Sequence, residues 1–359
     1  ERSSGCSSSP RRSPRGSRPI IRTIMPMAVA ILISVAAGVF APLPEPACSR
    51  RDAAIMGALE RSAAADPSSL LLQVSLASCY DQAWQFQSVG PAIAKALLIL
   101  DAEPPAPDTG APRVVRPVAG ADVPVPRRTR DKQAEYPREA SAAGLFGFVV
   151  LEIVIDAHGA VSEAAAVKSV PGLDDAALKA ARQWKFAPTV VGGKAIEVLG
   201  YVPVRFGPTN EPAASDWLEV AVFHYRKGER DRARTALKVA LSLARTDMDR
   251  FGGYADTEVK GTLAGFTRPT VKKQVDPRYP RRSMSSNARE GTVTIEALVD
   301  RLGNIGRPRI VGASSQFDGA SMEAALQWRF TPALKEGSAV PSRIMLQMDF
   351  ARHSPSPRS

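Results

Sequence analysis

Histidine and cysteine are scarce in this chain, with three of each among 359 residues. His158, His224 and His353 stand far apart and none falls in a metal or nucleophile motif, so the side chains that carry most hydrolytic chemistry have no constellation to work in. Cys6, Cys48 and Cys79 show neither metal-ligand spacing nor a C-x-x-C pair. Cys6 falls in the N-terminal leader, which leaves Cys48 and Cys79 either as a disulfide, if the chain is exported, or as two unpaired small residues. Aromatics are only 6% of the residues, and no Lys/Arg run is interleaved with them, although the formal net charge is +11. Six arginines within residues 1–22 (Arg2, Arg11, Arg12, Arg15, Arg18, Arg22) stand against Glu1, so much of that charge is a tail and the rest of the chain is only mildly basic. The pair Asp174-Asp175 is explained by a helix start, and Gly192-Gly193 is too short to cradle phosphate. No catalysis, metal, cofactor or nucleic-acid partner is expected.

Proline is plentiful and clustered, as between folded parts. Residues 1–23 read as a disordered basic leader, because Ser, Pro, Arg and Gly offer no apolar face to bury. Residues 24–41 carry no charge, a length between that of a spanning helix and that of a signal-peptide core. Either an inner-membrane anchor or a removable signal fits, and both deliver the rest of the chain outside the cytoplasm.

The most informative feature is an internal repeat. Asp174-Asp-Ala-Ala-Leu-Lys-Ala-Ala-Arg-Gln-Trp184-Lys-Phe186-Ala-Pro188 matches Asp318-Gly-Ala-Ser-Met-Glu-Ala-Ala-Leu-Gln-Trp328-Arg-Phe330-Thr-Pro332 at an offset of 144. The same offset joins Gly147 to Gly291, Asp156 to Asp300, Gly159 to Gly303, and Phe206 to Phe350, while Tyr136-Pro137 and Tyr279-Pro280 pair at 143. Upstream it aligns Ala77, Val89, Ile93, Ala96 and Leu97 with Ala221, Ala233, Leu237, Ala240 and Leu241. The duplicated unit is therefore a helical hairpin followed by a module, about 66–207 and 210–351.

In each module, alternating apolar residues (Val149, Leu151, Ile153, Ile155; Val293, Ile295, Ala297, Val299) predict a half-buried strand. Asp-Ala-His-Gly and Asp-Arg-Leu-Gly then predict a hairpin turn, and Pro308 implies a bulge or an edge in the second strand of the later copy. Asp174 and Asp318 are placed as helix N-caps. The helices turn Ala177, Ala181 and Trp184, or Ser321, Ala325 and Trp328, toward the sheet. A last strand ends each module at Phe206 and Phe350. The expected fold is α+β: two β-β-α-β modules, each a three-stranded antiparallel sheet on a helix and each preceded by an α-helical hairpin. Trp184, Phe186, Phe206, Trp328, Phe330 and Phe350 are the expected structural core. The expected organisation is a helical hairpin at 50–100, a Pro-rich linker at 101–130, module one at 131–207, a second hairpin at 211–250, a linker at 251–273, module two at 274–351 and a disordered tail at 352–359.

The hairpin stripes resemble single tetratricopeptide repeats. The ordered motifs of the modules (Tyr-Pro, Gly before the first strand, Asp-x-x-Gly, Asp-x-Ala-Ala, W-x-F-x-P and a strand ending in Phe) resemble the TonB C-terminal domain family of Gram-negative envelope energy transducers. That resemblance implies a periplasmic domain, anchored in the inner membrane or secreted, that pairs with extended peptide segments of outer-membrane receptors by strand addition. An inner-membrane motor complex would be the second partner. It nominates the last strands, 196–206 and 340–350, with Glu197, Tyr201, Val204, Ser342, Leu346 and Met348 as partner-binding residues and Tyr136 and Tyr279 near the module entrance. Two features depart from the family's transducers. Residues 24–41 hold no histidine, and the Pro-rich part at about 102–126 reaches only roughly 75–80 Å fully extended. A non-energised periplasmic scaffold or binding protein is the alternative, and the oligomeric state is left open.

Overall fold

The computed structural model describes residues 53–104, 116–119, 122–142, 145–208, 211–256, 265–279, 290–312 and 316–350, all within one unit, Ala47–Ser359. Residues 24–41 and Cys48 lie outside the described residues. No helix among the described residues is long and apolar enough to cross a membrane. Cys79 is fully buried and disulfide-bonded.

The first helical segment has three helices where a hairpin was expected: α1 (Ala53–Ala65), α2 (Leu70–Gln82) and α3 (Phe86–Ala102). Ser69 caps α2, its Oγ accepting from Leu72 N–H. α1 buries Met56, Leu59 and Ala63 against Leu76, Cys79 and Ala83. Module one follows, with the short helix α4 (Arg138–Ala142) after Tyr-Pro, strands β1 (Gly147–Ile155) and β2 (Val161–Lys168), helix α5 (Asp174–Ala181) and strand β3 (Val198–Phe206). The second hairpin is α6 (Ala214–Arg226) and α7 (Arg230–Phe251). Module two has β4 (Gly291–Val299), β5 (Ile305–Val311), α8 (Asp318–Ala325) and β6 (Ser342–Phe350). In both sheets the first strand is central, with the hairpin strand on one side and the last strand on the other, all antiparallel.

The Asp-x-x-Gly turn explains why two such residues recur. Asp156 Oδ1 accepts from the N–H groups of His158 and Ala160, both at 2.8 Å, and Asp300 Oδ1 does the same for Leu302 and Asn304 at 2.9 Å. Gly159 (φ 77°) and Gly303 (φ 84°) are left-handed, and a Cβ there would overlap the carbonyl oxygen of Phe186 or Phe330. Their own carbonyls accept from those same residues' N–H groups at 2.8 and 2.9 Å, tying the turn to the W-x-F segment. Each tryptophan is buried under its helix, and its indole N–H donates 2.8 Å to the segment entering the module, to Lys132 O or Val275 O. Phe186, Phe206, Phe330 and Phe350 are buried in the same two cores.

Asp174 and Asp318 are the first helical residues, not N-caps; Leu173 and Phe317 hold the cap positions. The Asp174 carboxylate instead reaches back to Val170 N–H (2.9 Å) and the Ser169 hydroxyl, closing the turn before the helix. β5 is both an edge strand and bulged, with Arg307 at φ 52° just before Pro308. The stretches expected as linkers hold short strands: Arg128–Arg130 and Thr270–Lys273 each pair with the W-x-F segment of their module. A small hairpin (Thr189–Val191 with Lys194–Ile196; Ala333–Lys335 with Ser338–Val340) separates W-x-F-x-P from the last strand, so Ile196 and Val340 belong to it.

β1 is buried on both faces rather than half-buried, and so is the second half of β4, residues 295–299, while Thr292 stays exposed. One face lies under α5 or α8. The other lies on the helices, which form one shared bundle: Val74, Ala77, Val89, Ile93 and Ala96 of the first hairpin meet Trp217, Val220, Ala221, Ala233, Leu237 and Ala240 of the second. A single helical repeat cannot cover its own apolar face, and each hairpin here covers the other's. Phe148, Val150 and Val167 of module one pack on this core. Leu298 of module two packs with Trp84, Phe86 and Phe251 at the bundle's far end.

Polar groups fix both seams. Glu152 in the centre of β1 meets Arg232 (3.0 Å) and His224 Nε2 (3.2 Å), and His224 Nδ1 lies 2.7 Å from Glu229 with the imidazole fully buried. Its counterpart Glu296 in β4 is paired with Arg309 (2.5 Å) and with Arg343. Burial pushes the Glu296 carboxyl up, but the two guanidinium groups outweigh it and hold it below the ordinary value. Arg307 reaches from the β5 bulge to Asp81 of α2 (3.0 Å) and to Asp247 of α7, joining module two to both hairpins. Burial raises the carboxyls of Asp247 and of neighbouring Asp216.

Candidate functional site

The last strand lies on the opposite side of each sheet from the hairpin strand. Continuous antiparallel pairing of β3 to β1 and of β6 to β4 points alternate backbone groups inward. The remaining groups point away from the sheet. On β3 the outward residues are Leu199, Tyr201, Pro203 and Arg205. On β6 they are Arg343, Met345, Gln347 and Asp349.

The chain itself takes the first outward position in both modules. In module one, Leu199 N–H donates to Pro117 O (2.9 Å) and Ala119 N–H donates to Leu199 O (2.7 Å), a parallel bridge. In module two, Ala255 N–H donates to Pro341 O (2.8 Å), and 255–256 run parallel to 342–343. Each pairing is latched by an ion pair: Arg116 with Glu197 at 2.7 Å and Glu163 at 2.8 Å, and Arg343 with Asp256 at 2.8 Å. Leu199 and Arg343 are themselves 144 apart, so the accepting position belongs to the repeat, whereas the donated residues Val118 and Asp256 do not keep that offset. Nothing in the composition of the two linkers marks it, because the pairing is made by backbone atoms.

The nominated side chains divide by strand parity. Val204, Leu346 and Met348 are buried in the cores under α5 and α8. Ser342 is fully buried, and its hydroxyl finds no hydrogen-bond partner among the described residues. Tyr201 faces the bundle, edge-on to Trp217 at 5.6 Å and hydrogen-bonded to Glu152 at 3.1 Å; burial and that carboxylate push its phenol well up. Glu197 is held by Arg116. Tyr136 and Tyr279 lie at the end of the last strand. They pack edge-on against Phe206 (5.8 Å) and Phe350 (6.3 Å), pinning the module entrance to the end of the last strand, and the Tyr136 hydroxyl donates to Leu145 O. What the edges offer is therefore backbone, flanked at its exposed end by Arg205, Gln347 and Asp349. No group of His, Cys, Asp and Glu able to hold a metal ion occurs among the described residues.

The family described as Gram-negative bacterial TonB protein C-terminal matches residues 132–208 and again 275–351. The chain carries two tandem TonB C-terminal domains. Both matches coincide with the β-β-α-β modules described above. Protein TonB of Vibrio cholerae serotype O1 is 37% identical over 76 residues, 21% of this chain and 31% of that protein. Protein TonB of Xanthomonas campestris pv. campestris strain B100 is 40% identical over 74 residues, 20% of this chain and 33% of that protein. The similarity thus spans about a third of the length of these relatives. The solution NMR structure of the Pseudomonas aeruginosa TonB C-terminal domain is similar at 20% identity, covering 28% of this chain and 97% of that one with a TM-score of 0.21.

Proposed function

We propose that this chain is a periplasmic, TonB-like envelope protein that binds extended peptide segments of outer-membrane receptors by strand addition to the last strands of its TonB C-terminal domains. The outward-facing backbone of β3 and β6 carries this reading, because an unpaired edge outside the cytoplasm is a liability unless a partner uses it. Backbone hydrogen bonds supply affinity, and the flanking side chains supply selectivity. Residues 24–41 serve as inner-membrane anchor or export signal. As an energy transducer the protein would also contact a motor complex in the inner membrane.

The test uses synthetic peptides copying the N-terminal extensions of the TonB-dependent receptors encoded by the source organism. Binding is expected to slow hydrogen exchange of outward amides on a last strand. Binding that leaves both last strands unprotected, or no binding by any receptor peptide, overturns the reading.

A non-energised scaffold is favoured by one observation. The Pro-rich stretch is short, and its residues 117–119 are laid along β3, which shortens its reach further. Growth on scarce iron that depends on this protein, and that fails when residues 24–41 are replaced by an unrelated anchor, decides for transduction. Unimpaired growth after the replacement decides for the scaffold.

A further inference from the structure

The two domains share a fold but not an edge. Past the first outward position, which the chain fills itself, β6 presents Met345, Gln347 and Asp349, each with an N–H and a carbonyl directed away from the sheet. β3 presents Tyr201, Pro203 and Arg205. Pro203 has no N–H, and it stands at the middle of the three positions an added strand must use. It is half of the aligned pair Pro203 and Gln347, 144 residues apart. Proline on an exposed edge is a device that keeps an edge from pairing. Proline at 203 costs the sheet itself no bond, because Pro203 and Val150 face each other as a non-hydrogen-bonded pair and the bonds between the two strands are made by the flanking pairs.

We infer that the two domains have divided roles: the second receives the partner's extended strand along β6, and the first is closed to it by Pro203 and serves as a structural domain on the bundle. This rests on the strand-addition reading above and assigns it to one domain. The occupant is a peptide from another protein. The parallel segment at 255–256 already begins a fourth strand beside β6, latched by Asp256 to Arg343, so an incoming strand would extend a row that the chain itself has started. The remaining open length, from Met345 to Phe350, accommodates a segment of about six residues. The exposed ends of its side chains include Gln347 and Asp349, with Asp349 held by the Thr292 hydroxyl at 2.6 Å.

The test is a reciprocal exchange of the aligned residues in the full chain, read by calorimetric stoichiometry with a receptor-derived peptide that binds the unaltered protein. Gln347→Pro imports a residue that the sister strand tolerates at the same place, so folding is expected to survive, and circular dichroism with an unchanged melting profile checks this. The unaltered protein is expected to bind one peptide. Q347P is expected to weaken binding at least about tenfold, the loss of one or more interstrand hydrogen bonds. Gln347→Ala keeps the N–H and is expected to bind within about twofold. Pro203→Gln is expected to raise the stoichiometry to two.

Two peptides on the unaltered protein, or full binding by Q347P, overturns the division of roles while leaving strand addition standing. A P203Q protein that stays at one peptide overturns the assignment of the difference to Pro203. Peptide binding that protects neither last strand from hydrogen exchange overturns the strand-addition reading itself.

Discussion

Single residues in this chain are constrained by geometry that recurs at an offset of 144. Gly159 and Gly303 combine a left-handed backbone with a position where a Cβ meets a carbonyl oxygen, so substitution suffers strain and overlap together. Gly303→Ala is expected to destabilise the protein by more than about 2 kcal/mol, measured by urea unfolding, and Gly159→Ala likewise; a loss under half of that would contradict the clash. Trp84 shows the opposite choice. It is left-handed at φ 59° where the aligned residue of the second hairpin is Gly228 at φ 74°. The bulky residue is kept because its indole lies under the Arg309 guanidinium at 4.0 Å and beside Tyr254, sealing module two to the bundle. Glu296 gives a pH dependence. Its folded pKa is depressed below the ordinary 4.5, so the stability it contributes is present above that value and is lost as pH falls through the folded pKa. Glu296→Gln is expected to cost about 1–3 kcal/mol at pH 7. That deficit should close as pH falls through the depressed folded pKa, where the carboxyl in the folded protein becomes neutral. A deficit that stays constant down to the lowest pH at which the protein remains folded would show that shape, not charge, is what Gln disturbs.

Among the elements, what was legible in the sequence follows from which face a residue serves. The faces under α5 and α8 use apolar alternation, glycine turns and W-x-F-x-P, and these signals placed both modules and the repeat. The faces against the bundle use Glu152, Tyr201, Glu296, Arg309 and Arg343, which read as solvent until the helices supply His224 and Arg232 or the neighbouring strands supply arginine. One signal was available: the run Phe148-Val149-Val150-Leu151 and then Ile153-Val154-Ile155 is nearly unbroken, as expected for a strand covered on both sides. The edge pairing at 117–119 and 255–256 left no trace because backbone makes it. The Arg307 seam was likewise invisible, since its partners lie 226 and 60 residues away in sequence. Arg307→Met is expected to cost about 3–5 kcal/mol, because Asp81 and Asp247 are left buried and uncompensated. Adding Asp81→Asn should recover part of the loss. No recovery in that double variant, by chemical denaturation, would mean that Arg307 acts through packing alone.

At the scale of the molecule, the two TonB C-terminal domains are not beads on a string. A module of some 75 residues buries a modest share of its surface and is marginal alone, and here both modules place a second sheet face on one bundle made from both hairpins. The bundle therefore transmits the loss of one module to the other. The chain from Ala47 onward is expected to unfold in a single calorimetric transition whose van't Hoff and calorimetric enthalpies agree. Trp217 sits where α6 meets Tyr201 of β3, far in sequence from module two. Trp217→Ala removes a large buried aromatic, at a cost of about 3–5 kcal/mol. It should lower the midpoint of the whole transition by roughly 6–10 °C, and the outward amides of β6 should exchange faster although no residue of module two has changed. Two separate transitions, with the module-two transition unmoved by W217A, would mean that each domain stands by itself and that the bundle only spaces them. A single shifted transition instead makes the bundle the element through which the first domain steadies β6 of the second.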